Sequence, residues 1–197
     1  MSDSQKLIDY AQTYLQKQPF DIVHDLEHHQ LVVTNCTGIV TAERLTPNME
    51  VLMTAAWWHD VDKSYETANS SDNTVVFFRK VAADLGVDDT FIDHCVHTIE
   101  EHSFSNTQTC LESQILFDAD KIEYVNVNRI NKLVMDIKAH PEKYQQERLQ
   151  TMHAIWISRI TKVHQMMHFA YSKKVFLSQL KETKQVLEKF KQVVEAL

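Results

Sequence analysis

The sequence predicts an all-α fold, and this prediction rests on a shortage of glycine and on apolar residues at helical spacing. The chain of 197 residues has two glycines, Gly38 and Gly86. Average usage of roughly 7% would give about fourteen. Tight β-hairpin turns depend on glycine, so a fold with many strands is disfavoured. The same shortage excludes the phosphate-binding loops of Rossmann dehydrogenases and P-loop NTPases, because each needs several glycines within a few residues.

The first two helices are predicted from the spacing of apolar residues and from residues that typically begin or end a helix. Apolar residues from Leu7 to Leu15 recur at helical spacing, and Pro19 ends that helix. Asp25 is a suitable N-cap for a second helix, which extends to about Val40 and carries an apolar side.

A third helix is strongly apolar, and we expect it to be central in the core. Thr46 is its predicted N-cap, Pro47 takes the first helical position, and the helix extends to Asp60. A polar segment, 65–73, separates it from a fourth helix, for which Gly86 is a favourable C-cap residue.

The rest of the chain predicts further helices without a linker or an internal repeat. Their expected ranges are 88–101, 111–125, 127–138, 142–168 and 172–195. Hydrophobic residues make up 44% of the chain, which is enough for one buried core. We therefore predict a single domain over residues 1–197.

Charge and cysteine content narrow the classes of function. Lys and Arg number 20 against 27 Asp and Glu, a net charge of −7, so nucleic acid is not an expected partner. No apolar run approaches the roughly 18 residues that a membrane span needs, so no membrane partner is expected either. Cys36, Cys95 and Cys110 form no C-x-x-C pair. These features predict a cytoplasmic protein with reduced thiols.

Histidines and aspartates lie next to core-facing residues in three separate segments. The segments are His24-Asp-Leu-Glu-His28, Trp57-Trp-His59-Asp60 and Asp118-Ala-Asp120. Helical bundles build internal metal sites from such side chains on facing helices. Histidine is the commonest metal ligand, and carboxylates complete sites for divalent ions. The order His, His-Asp, Asp therefore indicates a metal site inside the bundle.

These segments resemble the HD-domain superfamily of metal-dependent phosphohydrolases, and most closely its small single-domain bacterial members. The family pattern is H-D-x-x-H, then L-x-H-D, H-S and D-A-D-K/R-L. Here its last two pieces read His102-Ser103 and Asp118-Ala-Asp-Lys-Ile122. The resemblance covers residues of about 20–125, and it implies an HD-domain helical bundle on which the C-terminal helices, about 127–197, pack.

The resemblance assigns four metal ligands, which are His28, His59, Asp60 and Asp120. Asp118 is the alternative for the last position, as a ligand or as a hydrogen-bond acceptor. We prefer Asp120 because the family pattern places the ligand directly before a basic and a large apolar residue.

The resemblance also implies catalytic residues around the ion. Asp60 would orient the attacking water, and Lys63 would contact a substrate phosphate. His102 would stabilise charge on the phosphoryl oxygens, and either His97 or His102 would protonate the leaving oxygen.

Some positions near the first ligand carry other expectations. His24 is expected to support the site rather than to ligate, and His29 is expected to face solvent. Relatives usually have an arginine where this chain has Leu31. Any contact of that arginine with substrate is therefore missing.

The resemblance implies a cofactor, a reaction and partners. The cofactor is a divalent ion, one of Mn, Mg, Fe, Ni, Co or Zn, and no other cofactor site is predicted. The ion would activate water to cleave the phosphate ester of a small substrate, which we expect to be a nucleotide. An apolar part of the C-terminal helix could serve a homodimer. The alternatives are a metal- and nucleotide-binding protein without turnover and a di-iron oxygenase.

Overall fold

The computed structural model describes residues 1–17, 22–62 and 70–197, without the side chains of 70–72, and this part of the chain contains helices and no strands. The all-α prediction is confirmed. The helices are α1 (Asp3–Lys17), α2 (Leu26–Glu43), α3 (Met49–Trp58), α4 (Ser70–Asp84), α5 (Asp89–Glu101), α6 (Leu111–Ile122), α7 (Val127–Ala139), α8 (Gln146–Met166) and α9 (Ala170–Glu195).

The start of α2 and the end of α4 lie where the sequence places them. Asp25 is the N-cap of α2, and its carboxylate accepts the backbone N–H of His28 at 3.1 Å. Gly86 adopts a left-handed φ of 67°, which a side chain would strain. The backbone N–H of Val87 then reaches the carbonyl of Ala82 at 3.1 Å and closes the end of α4.

Both predicted ends of α3 were wrong by two residues. Asn48, not Thr46, is the N-cap, and its side chain accepts the backbone N–H of Val51 at 3.3 Å. The backbone N–H of Asn48 donates to Glu112 at 2.6 Å, which holds this residue outside the helix. At the other end α3 stops at Trp58, so Asp60 lies in the turn that follows.

Short turns account for most of the other differences between the predicted and observed helix boundaries. α4 begins at Ser70, so the end of the polar segment is helical, while residues 63–69 lie outside the described part. The predicted helix 111–125 is α6 followed by a 3₁₀ turn, Glu123–Val125. Another 3₁₀ turn, Pro141–Lys143, precedes α8.

One cluster of buried apolar side chains extends from α1 to α9. Within it, α3 packs against α1, α2, α5 and α6, and α9 packs against α7 and α8 and also reaches α2 and α6. Trp58 is fully buried, and its indole N–H donates to the carbonyl of Leu7 at 3.0 Å. This bond fixes the end of α3. No described helix is both long and apolar enough to cross a bilayer.

Asp118 of α6 caps the start of α9. Its carboxylate accepts the backbone N–H of His168 at 2.9 Å and that of Phe169 at 2.9 Å. Phe169 offers no side-chain cap of its own, so Asp118 satisfies amides that would otherwise lack a partner. Burial raises the pKa of Asp118, and these hydrogen bonds oppose that effect.

We expect Asp118→Ala to lower the free energy of unfolding by about 2–4 kcal/mol, because two backbone amides at the start of α9 lose their buried acceptor. Asp118→Asn keeps one acceptor oxygen and should lose less. Urea denaturation followed by circular dichroism measures both variants. Equal stability of Asp118→Ala and the wild type would contradict the cap.

Candidate metal centre

Four buried side chains from three parts of the fold converge on one space. His28 projects from the first turn of α2, His59 and Asp60 follow the end of α3, and Asp120 belongs to α6. Their nitrogen and carboxylate oxygen atoms all lie within 4.8 Å of one another. These four are the residues that the sequence analysis assigns as metal ligands.

The spacing of the four side chains fits a single metal ion. Nε2 of His28 lies 3.2 Å from Nε2 of His59 and 3.6 Å from Oδ1 of Asp120. Nε2 of His59 lies 3.6 Å from Oδ2 of Asp60. Bonds of about 2.0–2.2 Å from an ion to nitrogen and oxygen place neighbouring ligands about 3–3.5 Å apart. The donors are therefore close enough to share one ion.

The histidines of this cluster can present lone pairs to a cation. Nδ1 of His59 donates to the carbonyl of Ala56 at 2.8 Å, so Nε2 is the nitrogen that can ligate. Burial lowers the pKa of His28 well below its ordinary value, and this keeps the ring uncharged. Metal ligands must be free of protons. A divalent cation would compensate the two carboxylates that are buried with these rings.

Lys121 is a buried cation bonded to the cluster, and no function is predicted for it from the sequence. Its Nζ lies 2.5 Å from Oδ2 of Asp120 and 4.5 Å from the ring centre of Phe104. Burial raises the pKa of Asp120, but Lys121 and His59 outweigh burial, and the pKa falls well below its ordinary value. Oδ1 of Asp120 is left facing the two histidines. The sequence signal was the basic residue directly after Asp120.

His102 joins the cluster from the end of α5. Its Nδ1 donates to the carbonyl of Ile99, and its Nε2 lies 3.5 Å from Oδ1 of Asp60. Burial lowers the pKa of His102, although Asp60 opposes this shift. The ring is therefore uncharged, with the lone pair of Nε2 directed at the metal cluster.

The family comparison agrees with this arrangement. The HD domain family matches residues 25–125, which include all four clustered side chains and His102. The chain belongs to the HD domain family. His28, His59, Asp60 and Asp120 together are termed the HD centre.

Solved structures with the same fold share little sequence with this HD protein. A Lactobacillus plantarum protein has a TM-score of 0.71 at 18% identity, with 99% of this chain and 98% of that chain covered. Bacillus subtilis YpgQ, solved in complex with ADP, has a TM-score of 0.63 at 18% identity, with coverage of 94% and 96%. A predicted HD superfamily hydrolase from an uncultured Thermotogales bacterium has a TM-score of 0.59 at 16% identity, with coverage of 94% and 90%. None of the curated proteins matches this sequence.

His97 and His24, which the sequence also singles out, are not among the four residues of the HD centre. His97 is exposed on α5, and its Nε2 contacts Thr109 at 3.1 Å. Lys63 lies outside the described residues. His24 is half-buried, with its ring centre 5.7 Å from that of His28.

The expectation that His29 faces solvent was wrong. The side chain is fully buried, and Nδ1 donates to the carbonyl of Asp25 at 3.0 Å. Its ring is parallel to Trp57 with 6.5 Å between ring centres. Tertiary packing explains the burial of His29. α2 packs against both α3 and α6, so neighbouring residues in the first turn of α2 both contact other helices.

An arginine from another helix lies beside Leu31. Arg129 of α7 lines a small pocket together with Leu31 and His28. Its Nε donates to the carbonyl of Val23 at 2.8 Å, which orients the guanidinium. After burial, its charge is the next cause of the lowered pKa of His28. A cation therefore lies next to the HD centre although residue 31 supplies none.

We expect Lys121→Met to lower the free energy of unfolding of the metal-free protein by about 3–5 kcal/mol, because Asp120 then keeps a buried charge without its bonded cation. Urea denaturation in the presence of a chelator measures the loss. Lys80→Met is the matched control, since Lys80 pairs with Asp84 on the exposed face of α4. The control should change stability little. Similar effects of the two substitutions would contradict the buried ion pair.

Proposed function

We propose that this HD protein is a metal-dependent phosphohydrolase that cleaves the phosphate ester of a nucleotide, with the ion held by the HD centre. One observation carries the proposal, namely that two histidines and two carboxylates converge in a buried space at ligand spacing. Membership of the HD family supports a metal-dependent hydrolase. The ADP bound to YpgQ belongs to that protein, and it supports a nucleotide as the substrate class to test first.

A divalent ion held by His28, His59, Asp60 and Asp120 would lower the pKa of a bound water and neutralise charge on the phosphoryl group. Lys121 keeps Asp120 ionised and turns Oδ1 toward the two histidine rings. His59 is oriented by its bond to the carbonyl of Ala56. These contacts fix two of the four donors, Asp120 and His59, before an ion or a substrate arrives, which reduces the cost of organising the site.

His102 is the proposed proton carrier. Its Nδ1–H is engaged by the carbonyl of Ile99, so Nε2 can accept the proton of the attacking water. The water oxygen forms the new bond to phosphorus as the ester oxygen leaves. His102 then returns the proton to that leaving oxygen. Oδ1 of Asp60, 3.5 Å from Nε2, stabilises the transiently charged ring.

Two cations are proposed to recognise the phosphate groups. Arg129 lies beside His28, and a guanidinium can bind two phosphate oxygens at once. Lys63 is the other, and its contact with phosphate stays a prediction from the sequence. The remaining sequence predictions, His97 as a proton donor and a homodimer through α9, also stay predictions.

The experiment that tests the reaction is the release of product from a nucleotide panel by metal-loaded protein, after elemental analysis has identified the ion. Hydrolysis of at least one member is expected. Binding of nucleotides without product in a single-turnover assay would overturn catalysis and favour the metal- and nucleotide-binding alternative.

We expect Asp60→Ala to abolish both metal binding at the HD centre and turnover, because it removes a ligand that also faces His102. Asp62→Ala is the matched control, since Asp62 is the next carboxylate along the chain and lies outside the four-residue cluster. It should retain the ion. Turnover by Asp60→Ala at the wild-type rate would contradict the assigned centre.

We expect His102→Gln to reduce kcat by about 10²–10⁴-fold while the ion stays bound, because glutamine fills the space but cannot carry a proton. Steady-state kinetics and metal analysis of the same preparation separate the two effects. Loss of the ion together with activity would instead make His102 a ligand.

A further inference from the structure

A second group of metal-ligating side chains lies on α5 and at the start of α6, apart from the HD centre. Its members are His97, Glu101 and Cys110, and one ligand atom of each lies within 4.8 Å of the others. Nε2 of His97 is 3.3 Å from Oε1 of Glu101, one helical turn away. None of these residues belongs to the four that form the HD centre.

Glu101 is a fixed and ionised member of this group. Thr109 donates its backbone N–H to Oε2 at 2.7 Å and its hydroxyl to Oε1 at 2.6 Å. The hydroxyl of Ser113 donates to Oε2 at 2.7 Å. Burial raises the pKa of Glu101, but these hydrogen bonds outweigh burial and bring the pKa below its ordinary value. The carboxylate is therefore organised without any ion.

Cys110 contributes a thiol at the N-terminus of α6. It is the N-cap residue, and its Sγ accepts the backbone N–H of Ser113 at 3.4 Å. It also contacts the hydroxyl of Ser113 at 3.3 Å. A metal ion binds the thiolate form of cysteine, and the cap places Sγ of Cys110 at the start of α6, within reach of Glu101.

We infer that His97, Glu101 and Cys110 form a second metal site, which takes zinc or a similar borderline-soft divalent ion. A neutral imidazole, a carboxylate and a thiolate balance the charge of such an ion. Zinc accepts this combination of ligands in tetrahedral sites, with water as the fourth ligand. Sulfur selects zinc over magnesium, calcium and manganese. The HD centre offers nitrogen and oxygen alone, so the two sites differ in chemical softness.

Solvent has access to this second site. A surface groove of about 380 Å³ is lined by Cys110 and His97 and by residues of α3, α5 and α6 around them. The side chain of His97 is 51% exposed, and on binding an ion it would exchange its contact with Thr109 for a bond to the metal. His94 lines the same groove one turn earlier on α5 and is a further donor within the groove.

An ion at this site would tie the end of α5 to the start of α6. The connection between them, 102–109, begins with His102, which contacts Asp60 of the HD centre. The second ion would therefore hold the segment that positions the proposed proton carrier. With both sites filled, each chain would hold two ions, and a count of two would not require a di-iron centre.

Cobalt(II) titration of the full chain tests this site, because a thiolate bound to cobalt gives a near-ultraviolet charge-transfer band that nitrogen and oxygen ligands do not give. We expect the band in the wild type and its loss in Cys110→Ser, which keeps a good N-cap residue. His97→Gln changes an exposed side chain. It should raise the cobalt concentration needed to produce the band by more than about tenfold.

Two control variants separate the second site from the rest of the protein. Cys95→Ala removes a buried thiol elsewhere and should retain the band. Asp60→Ala should also retain it, because that substitution empties the HD centre alone. Absence of the band in the wild type, or its persistence in Cys110→Ser, would overturn the second site. Neither result bears on whether the HD centre holds its own ion, because the two groups share no residue.

Discussion

Two carboxylates and two imidazoles share one buried space in this protein, and the surrounding helices hold them there against a large cost of desolvation. Lys121 offsets part of that cost through its bond to Asp120, and three aromatic rings surround the ammonium group. Backbone carbonyls orient two of the histidines, that of Ala56 for His59 and that of Ile99 for His102. The centre is thus organised by the protein itself, and a cation would complete its charge balance.

Helix α6 shows how one short segment serves two purposes. Residues two apart on an α-helix are separated by about 200°, so Asp118 and Asp120 face nearly opposite sides. Asp118 faces the start of α9 and accepts its backbone amides, whereas Asp120 faces the histidines of the HD centre. A single ion could not take both as ligands. The packing of the C-terminal helices and the placement of Asp120, a proposed ligand, therefore both depend on the orientation of α6.

Local chemistry in the sequence predicted the fold well, and tertiary contacts explain where it did not. Asp25 and Gly86 act on their own helix ends, so capping preferences located both. The start of α3 depended on Glu112, a distant residue that fixes Asn48, and no local pattern contains that bond. His29 is buried because α2 meets two neighbours, which helical spacing alone does not indicate. Histidines and aspartates beside apolar runs indicated an internal site, and the family resemblance assigned its four residues. The grouping of His97 with Cys110 needed the loop between α5 and α6.

The scarcity of glycine finally bears on how this protein could bind phosphate. The glycine-rich loops that wrap a phosphate in backbone amides are excluded by composition, so any binding of phosphate would fall to charged side chains and a bound ion. Helix ends supply the positions: His28 lies in the first turn of α2, His59 follows α3, and His102 follows α5. At such a position the helix fixes the backbone on one side, and the other side leaves space for a ligand. A centre built from them recognises charge at fixed points, and cations such as Arg129, placed around the ion, would then decide which phosphate ester fits.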